Sequence, residues 1–322
     1  MTMNFGGRTP EIGHTKSPQS IITLEFANRA GRAKAAGWLH TLVRVVLSLA
    51  MIGFGMVKVV PTQFITFTLP GEMLISLGES SPSGMLWKFM ATSTPYTIVT
   101  GVVELAGGLL LIFRRTTLVG ALVCMVAMLQ VSILNIAYGV PVLVAPILLL
   151  AMSLVVAAPW WRRLIDVLFL NRDSAAVPKP TADGRRIRLA GRTVHATAAV
   201  VLIAVMAVSG IRSYRDYTER LSPLDGVWAV DEFRGDSPRW VRLAIDDRPA
   251  SRRLVLARDT GKPSTLALDV ESGGSRLRAG DWTLRYDLAN DNSLHLGGEV
   301  DGTAVEVRLH RLPLRSESRY FR

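Results

Sequence analysis

One cysteine, Cys124, stands in a chain of 322 residues, so no disulfide can close within it. A CxxC redox pair and a cysteine-rich metal site are excluded for the same reason. Cys124 lies inside an apolar run and reads as a small packing residue. The five histidines, His14, His40, His195, His295 and His310, show no metal-ligand spacing, so no metal site is expected. Walker loops, GxGxxG, GxSxG and HExxH are all missing. No cofactor is evident, and whether the chain is an enzyme stays open.

Acids are scarce where the chain is most apolar. Eight carboxylates and eighteen Lys or Arg residues precede Ile211; eighteen carboxylates and nineteen basic residues follow from there on. Nearly all of the net charge of +11 therefore belongs to the first part. Basic loops held against anionic headgroups explain that imbalance better than nucleic-acid binding. No aromatic-basic stripe offers a base-stacking surface, so no nucleic-acid partner is expected and the lipid bilayer is.

What the chain has in abundance is hydrocarbon. Between Pro95 and Pro159 only Arg114-Arg115 and the Tyr138-Gly139-Val140-Pro141 corner interrupt a long apolar run. Runs of this length are membrane spans. Spans are expected at about 38–60, 95–113, 116–138 and 141–158, forming a four-helix bundle within 38–170. A fifth transmembrane helix is expected at 194–211. Residues 1–37 form an N-terminal segment with a disordered start and a basic amphipathic piece around Ile21–Ala36. Residues 171–193 form a basic linker stiffened by Val177-Pro178-Lys179-Pro180. The 62–94 loop is too apolar for a solvated linker and predicts one or two short interfacial helices. No cleavable leader is expected, because the first apolar stretch starts only at Trp38 and is followed by Val59-Val60-Pro61.

Basic loops face the cytoplasm. The N-terminus, Arg114-Arg115 and 162–192 are basic, whereas 62–94 carries Lys88 against Glu72 and Glu79. Five spans then place the N-terminus inside and the C-terminus outside a bacterial plasma (inner) membrane. The tail, 212–322, alternates apolar and polar residues, as in Val305, Val307 and Leu309 against Glu306, Arg308 and His310. That period of two predicts about seven strands in a small all-β barrel or sandwich. Asp301-Gly302 is a type I′ hairpin signal. Gly226-Val227-Trp228 resembles the lipocalin opening pattern, which leaves two alternatives: a ligand-holding barrel, or a filled β-domain with Trp228 as core.

Polar residues inside spans are the candidate site. Glu104 sits near the middle of the second span, and an acid there is costly unless partnered. Counting residues from the span ends places Arg44 at a similar depth and predicts an Arg44–Glu104 pair. Lys58, Gln63, Asn135 and Tyr138 fall near the opposite end and predict a second polar cluster. The functional reading is a proton-coupled or headgroup-binding pocket; the alternative is that these groups fix bundle packing or snorkel. Gly107-Gly108 reads as a helix-packing pair.

GFGMVKVVPTQF (53–64), TGVVELAGGLLLIF followed by RRTT, and NIAYGVPV (135–142) resemble the DoxX-like family of bacterial membrane proteins. The resemblance covers about 40–170. It implies a four-helix bundle in which Lys58 and Glu104, with Gly107 and Gly108 alongside, carry the family pattern. Taken with the absence of cofactor motifs and cysteine pairs, the chain as a whole is expected to be a non-enzymatic membrane partner or scaffold of unknown specific role that meets another membrane or extracytoplasmic protein. One alternative is the membrane subunit of a quinone-linked oxidoreductase, with quinone as cofactor; another is a binder of a lipidic ligand through the β-domain. The fifth helix and the β-tail depart from the minimal family pattern.

Overall fold

A computed structural model describes residues 18–173, 185–236, 238–271 and 274–313. The expected disordered start and the Val177–Pro180 stiffener lie outside the described residues. The first helix, α1, runs unbroken from Pro18 to Val59, so the expected separate amphipathic piece is continuous in backbone with the first span. The 61–93 segment folds into α2 (Pro70–Met73), α3 (Pro82–Thr92) and two 3-10 turns. Ser81 begins α3 by accepting a hydrogen bond from the Gly84 N–H at 3.1 Å, with Pro82 set in the first turn. Then come α4 (Thr94–Leu110), α5 (Thr117–Ala137), α6 (Val144–Ala157), α7 (Trp161–Leu168) and α8 (Arg185–Thr218).

Among the described residues four helical segments are long and apolar enough to cross a membrane: Ala35–Val59, Thr117–Ala137, Val144–Leu168 and Leu189–Thr218. The second expected span falls short of this. It is the 17-residue helix α4, which at ~1.5 Å per residue reaches ~26 Å. Within Leu189–Thr218 the apolar window is only 11% buried in the protein, although its mean hydropathy is 2.2. Such a helix is consistent with membrane association by its length and composition.

Helices α1 and α4 pack backbone to backbone. A Cβ placed on Gly101 would lie 2.6 Å from the Cβ of Lys58 and 2.8 Å from the carbonyl of Gly55. Only a residue without a side chain permits that approach. Beside this seam, α8 closes an apolar cluster by packing Ala199 with Ile52, Met56 and Ile112. The helix therefore covers part of the bundle with one stripe and leaves Val200, Val201 and Val205 exposed.

The tail is a closed barrel of eight antiparallel strands in simple meander order, one more than expected. The strands are β1 (Gly226–Arg234), β2 (Trp240–Arg248), β3 (Ser251–Arg258), β4 (Ser264–Val270), β5 (Arg276–Ala279), β6 (Trp282–Asn290), β7 (Ser293–Val300) and β8 (Thr303–Arg311). Pairing of β8 with β1, Trp228 opposite Arg311, closes the ring. Asp301 and Gly302, with φ of 50° and 80°, make the hairpin between β7 and β8. Side chains fill the interior, Trp228, Trp240 and Trp282 among them, with the last two stacked at 5.9 Å. The Trp228 indole donates to the Leu224 carbonyl at 2.9 Å and lies under the Arg311 guanidinium at 4.4 Å. Trp228 is fully buried and belongs to this core cluster.

One strand departs from the expected alternation. A bulge between Trp240 and Arg242 puts Trp240 inside and leaves Val241 42% exposed. From Leu243 onward β2 is buried on both faces. The outer face is covered because Met73 and Leu74 pack on Val227, Ala244 and Val255.

Candidate functional site

Glu104 is 2% exposed and Lys58 5% exposed, and the two are ion-paired between α4 and α1. The other carboxylate oxygen, Oε2, is buried and has no hydrogen-bond partner. This overturns the expected Arg44–Glu104 pair. The antiparallel register explains why: Lys58 lies beside Gly101, Gly55 beside Leu105, and Ser48 beside Gly108. Glu104 is thus level with Gly55, one turn from Lys58, while Arg44 lies about three turns away at the other end. Ser48 continues the seam by donating to the Gly108 carbonyl at 2.7 Å.

Arg44 turns instead to the start of α5, donating from Nη1 to the Thr117 hydroxyl at 3.5 Å. Helices α1 and α8 run parallel here, with Gly53 beside Met206 and Val60 beside Gly210. The same offset brings His195 to the level of Arg44. His195 is 3% exposed, and neither ring nitrogen has a partner. No ligand spacing pointed to this histidine; its phase on α8 relative to α1 was the only signal.

The second expected cluster does not form. Lys58 is committed to Glu104. Asn135 donates to the Val142 carbonyl at 2.8 Å and so fixes the turn between α5 and α6. Gln63 is exposed, and Tyr138 is 38% exposed. Gly107 and Gly108 face different neighbours: a Cβ on Gly107 would meet the Cys124 sulfur at 2.9 Å, and one on Gly108 the Ser48 carbonyl at 2.8 Å.

A polar constellation that sequence reasoning missed joins the helices to the barrel. The Gly71 N–H donates to Asp246 Oδ1 at 2.7 Å. Arg253 Nε donates to Asp246 Oδ2 at 2.6 Å, and its Nη2 donates to Glu72 Oε1 at 3.1 Å. Burial pushes the Asp246 carboxyl above its ordinary value, while the Arg253 guanidinium and the Gly71 N–H pull the other way. A second tie lies at the end of α8. Arg248 grips both oxygens of Asp225, at 2.9 and 3.0 Å, and donates to the Tyr217 carbonyl at 2.6 Å.

Beside this junction opens a cavity of about 750 Å³. Among the described residues no three His, Cys, Asp or Glu side chains are grouped so as to hold a metal ion. The surface histidines of the barrel take carboxylate neighbours: His310 Nδ1 lies 2.7 Å from Asp231, and His295 Nε2 lies 3.6 Å from Glu306. No protein-family model matches the chain, and no curated protein matches it.

Proposed function

We propose that the chain is a multi-pass membrane protein of the DoxX-like type that acts as a non-enzymatic membrane partner, displaying its barrel on the extracytoplasmic side. The observation that carries this reading is the double tie between helices and barrel, through Gly71–Asp246–Arg253–Glu72 and through Arg248–Tyr217. A barrel filled by its own side chains works through its outer surface, and fixed attachment gives that surface a constant orientation above the bilayer. The long apolar helices and their uncovered faces supply the anchor. The Lys58–Glu104 pair then serves as a register lock between α1 and α4, the best-attested use of a buried ion pair.

The test joins sidedness to partnership. Reporter fusions after Arg311 should read outside and fusions at Asp173 inside. A photo-crosslinking residue at Val241, on the exposed face of β2, should give one dominant protein adduct in native membranes, and the same probe at buried Leu256 should give none. Turnover of a soluble quinone analogue by the purified protein, with Val241 giving no adduct, would replace this reading with an oxidoreductase subunit.

A further inference from the structure

We infer that the bundle binds a phosphate group at the level of the α4–α5 turn, between Arg44 of α1 and His195 of α8. His195 is 3% exposed, and both of its ring nitrogens lack a hydrogen-bond partner. Arg44 Nε is buried and equally unpartnered. The two side chains come from one level of the parallel α1–α8 pair and stand within electrostatic reach of each other. Buried donors without an acceptor are costly, and cationic ones more so. A neutral imidazole offers one N–H in either tautomer, so an oxygen that reaches both residues meets two donors at once.

Charge selects an anion. Arg44 is held in place without being neutralised. Its Nη1 donates to the Thr117 hydroxyl at 3.5 Å, and that hydroxyl donates in turn to the Phe113 carbonyl at 3.0 Å. Arg114, in the same turn, lies within electrostatic reach of Arg44. Arg192, one turn before His195 on α8, sets its guanidinium 5.0 Å from the centre of the Phe113 ring. Among the described residues none of these three arginines forms an ion pair. Glu104 is about three turns away along α1 and is committed to Lys58. Guanidinium groups match phosphate oxygens two at a time, and basic pockets between membrane helices suit acidic headgroups.

Position favours a lipid over free phosphate. On the membrane-spanning reading above, on which this proposal rests, the α4–α5 turn marks the level where hydrocarbon meets headgroups. Next to Arg114 in the chain, Phe113 is 46% exposed, and next to His195, Val194 is 70% exposed. A phospholipid with its phosphate at Arg44 and His195 has apolar surface beside it for its acyl chains.

The experiment titrates full-length protein in a mild detergent with phosphatidylglycerol, and with phosphatidylcholine of the same acyl chains, by native mass spectrometry. One saturable phosphatidylglycerol adduct is expected, with phosphatidylcholine held about tenfold more weakly. R44Q should weaken the adduct about tenfold, the scale of one lost charge-assisted hydrogen bond. H195L should weaken it without lowering the melting temperature, since an unpartnered polar ring gives way to an apolar side chain. R114Q/R192Q changes only exposed residues, so it tests the charge requirement even if the buried variants fail to fold. Displacement of the adduct by millimolar inorganic phosphate assigns free phosphate, and resistance to it assigns the lipid. No saturable adduct, equal retention of phosphatidylcholine, or unchanged binding in R44Q and in R114Q/R192Q would overturn the proposal. The reporter fusions judge the membrane reading separately. Inverted fusions with intact, mutation-sensitive binding would sink the topology and leave the site; fusions as expected with no adduct would sink the site alone.

Discussion

Lys58 reaches Glu104 across the α1–α4 seam at the point where Gly101 removes the side chain that would stand between the helices. The acid is positioned by a glycine one turn away as much as by its cation. Close backbones shorten the distance a lysine must cover, and they exclude water from the pair once it is made.

Breaking one partner should therefore cost more than removing both. E104Q leaves Lys58 charged and buried, a loss of about 3–5 kcal/mol in the usual range for such pairs. The K58M/E104Q double variant should recover much of this, as seen in melting curves in detergent. R44M/E104Q should show no recovery, because Arg44 bonds to Thr117 and lies on another part of α1. Recovery in the Arg44 double, and none in the Lys58 double, would reverse the assignment.

The pairing error has a definite physical source. Depth counted from span ends assumes that both helices start at the same level, yet α1 continues to Pro18 and α4 ends at Leu110. Helix-to-helix register is set by where glycines allow approach, and that is a property of two segments read together. The elements themselves were far more legible: hydropathy located the apolar helices, and period-two alternation located the long strands. The four-residue β5 was too short to show a period, and the bulge after Trp240 shifted the phase at the start of β2, turning Val241 outward. Nothing local marks the junction, because Gly71 and Asp246 are 175 residues apart and meet only in the folded chain.

The seam also predicts which glycines matter. G101A should destabilise by about 1–3 kcal/mol, since overpacking against the Gly55 carbonyl and the Lys58 side chain forces the helices apart. G191A, in α8 with nothing within 4 Å, should be neutral or slightly stabilising through helix propensity alone. Equal melting temperatures for the two variants would mean that α1 and α4 do not pack this closely.

Asp246 gives the junction a pH signature. Its folded-state pKa is raised, chiefly by burial, so the folded protein takes up this proton at a higher pH than the unfolded chain. Stability from this group therefore rises as pH falls through the folded pKa, and it levels off below the unfolded one. Protonated, the carboxyl still accepts from Gly71 and Arg253. Compared with D246N, the wild type should gain in melting temperature as pH falls from neutral toward about 4, near the ordinary Asp value. A difference that shrinks over that window would show that the Arg253 pairing outweighs burial.

Detaching the barrel tests whether the junction is an attachment or part of the barrel core. Residues 223–322 retain the eight strands, the closing β8–β1 pairing and the Trp228–Trp240–Trp282 interior. They should fold alone as a β-protein, since the buried interior draws on no helix residue. The outer face of β1–β3, however, loses its cover of Met73 and Leu74, which bares Val227, Ala244, Val255 and Leu312. An uncovered apolar patch of this kind drives association. The isolated barrel should therefore show a β-type circular dichroism spectrum and sediment as oligomers, and V255K should return it to monomers with the same spectrum. A disordered spectrum in both proteins would mean that the bundle is needed to close the barrel. Monomers without the substitution would mean that the Met73–Leu74 contact contributes little and that the Asp246–Arg253–Glu72 bonds hold the two parts together.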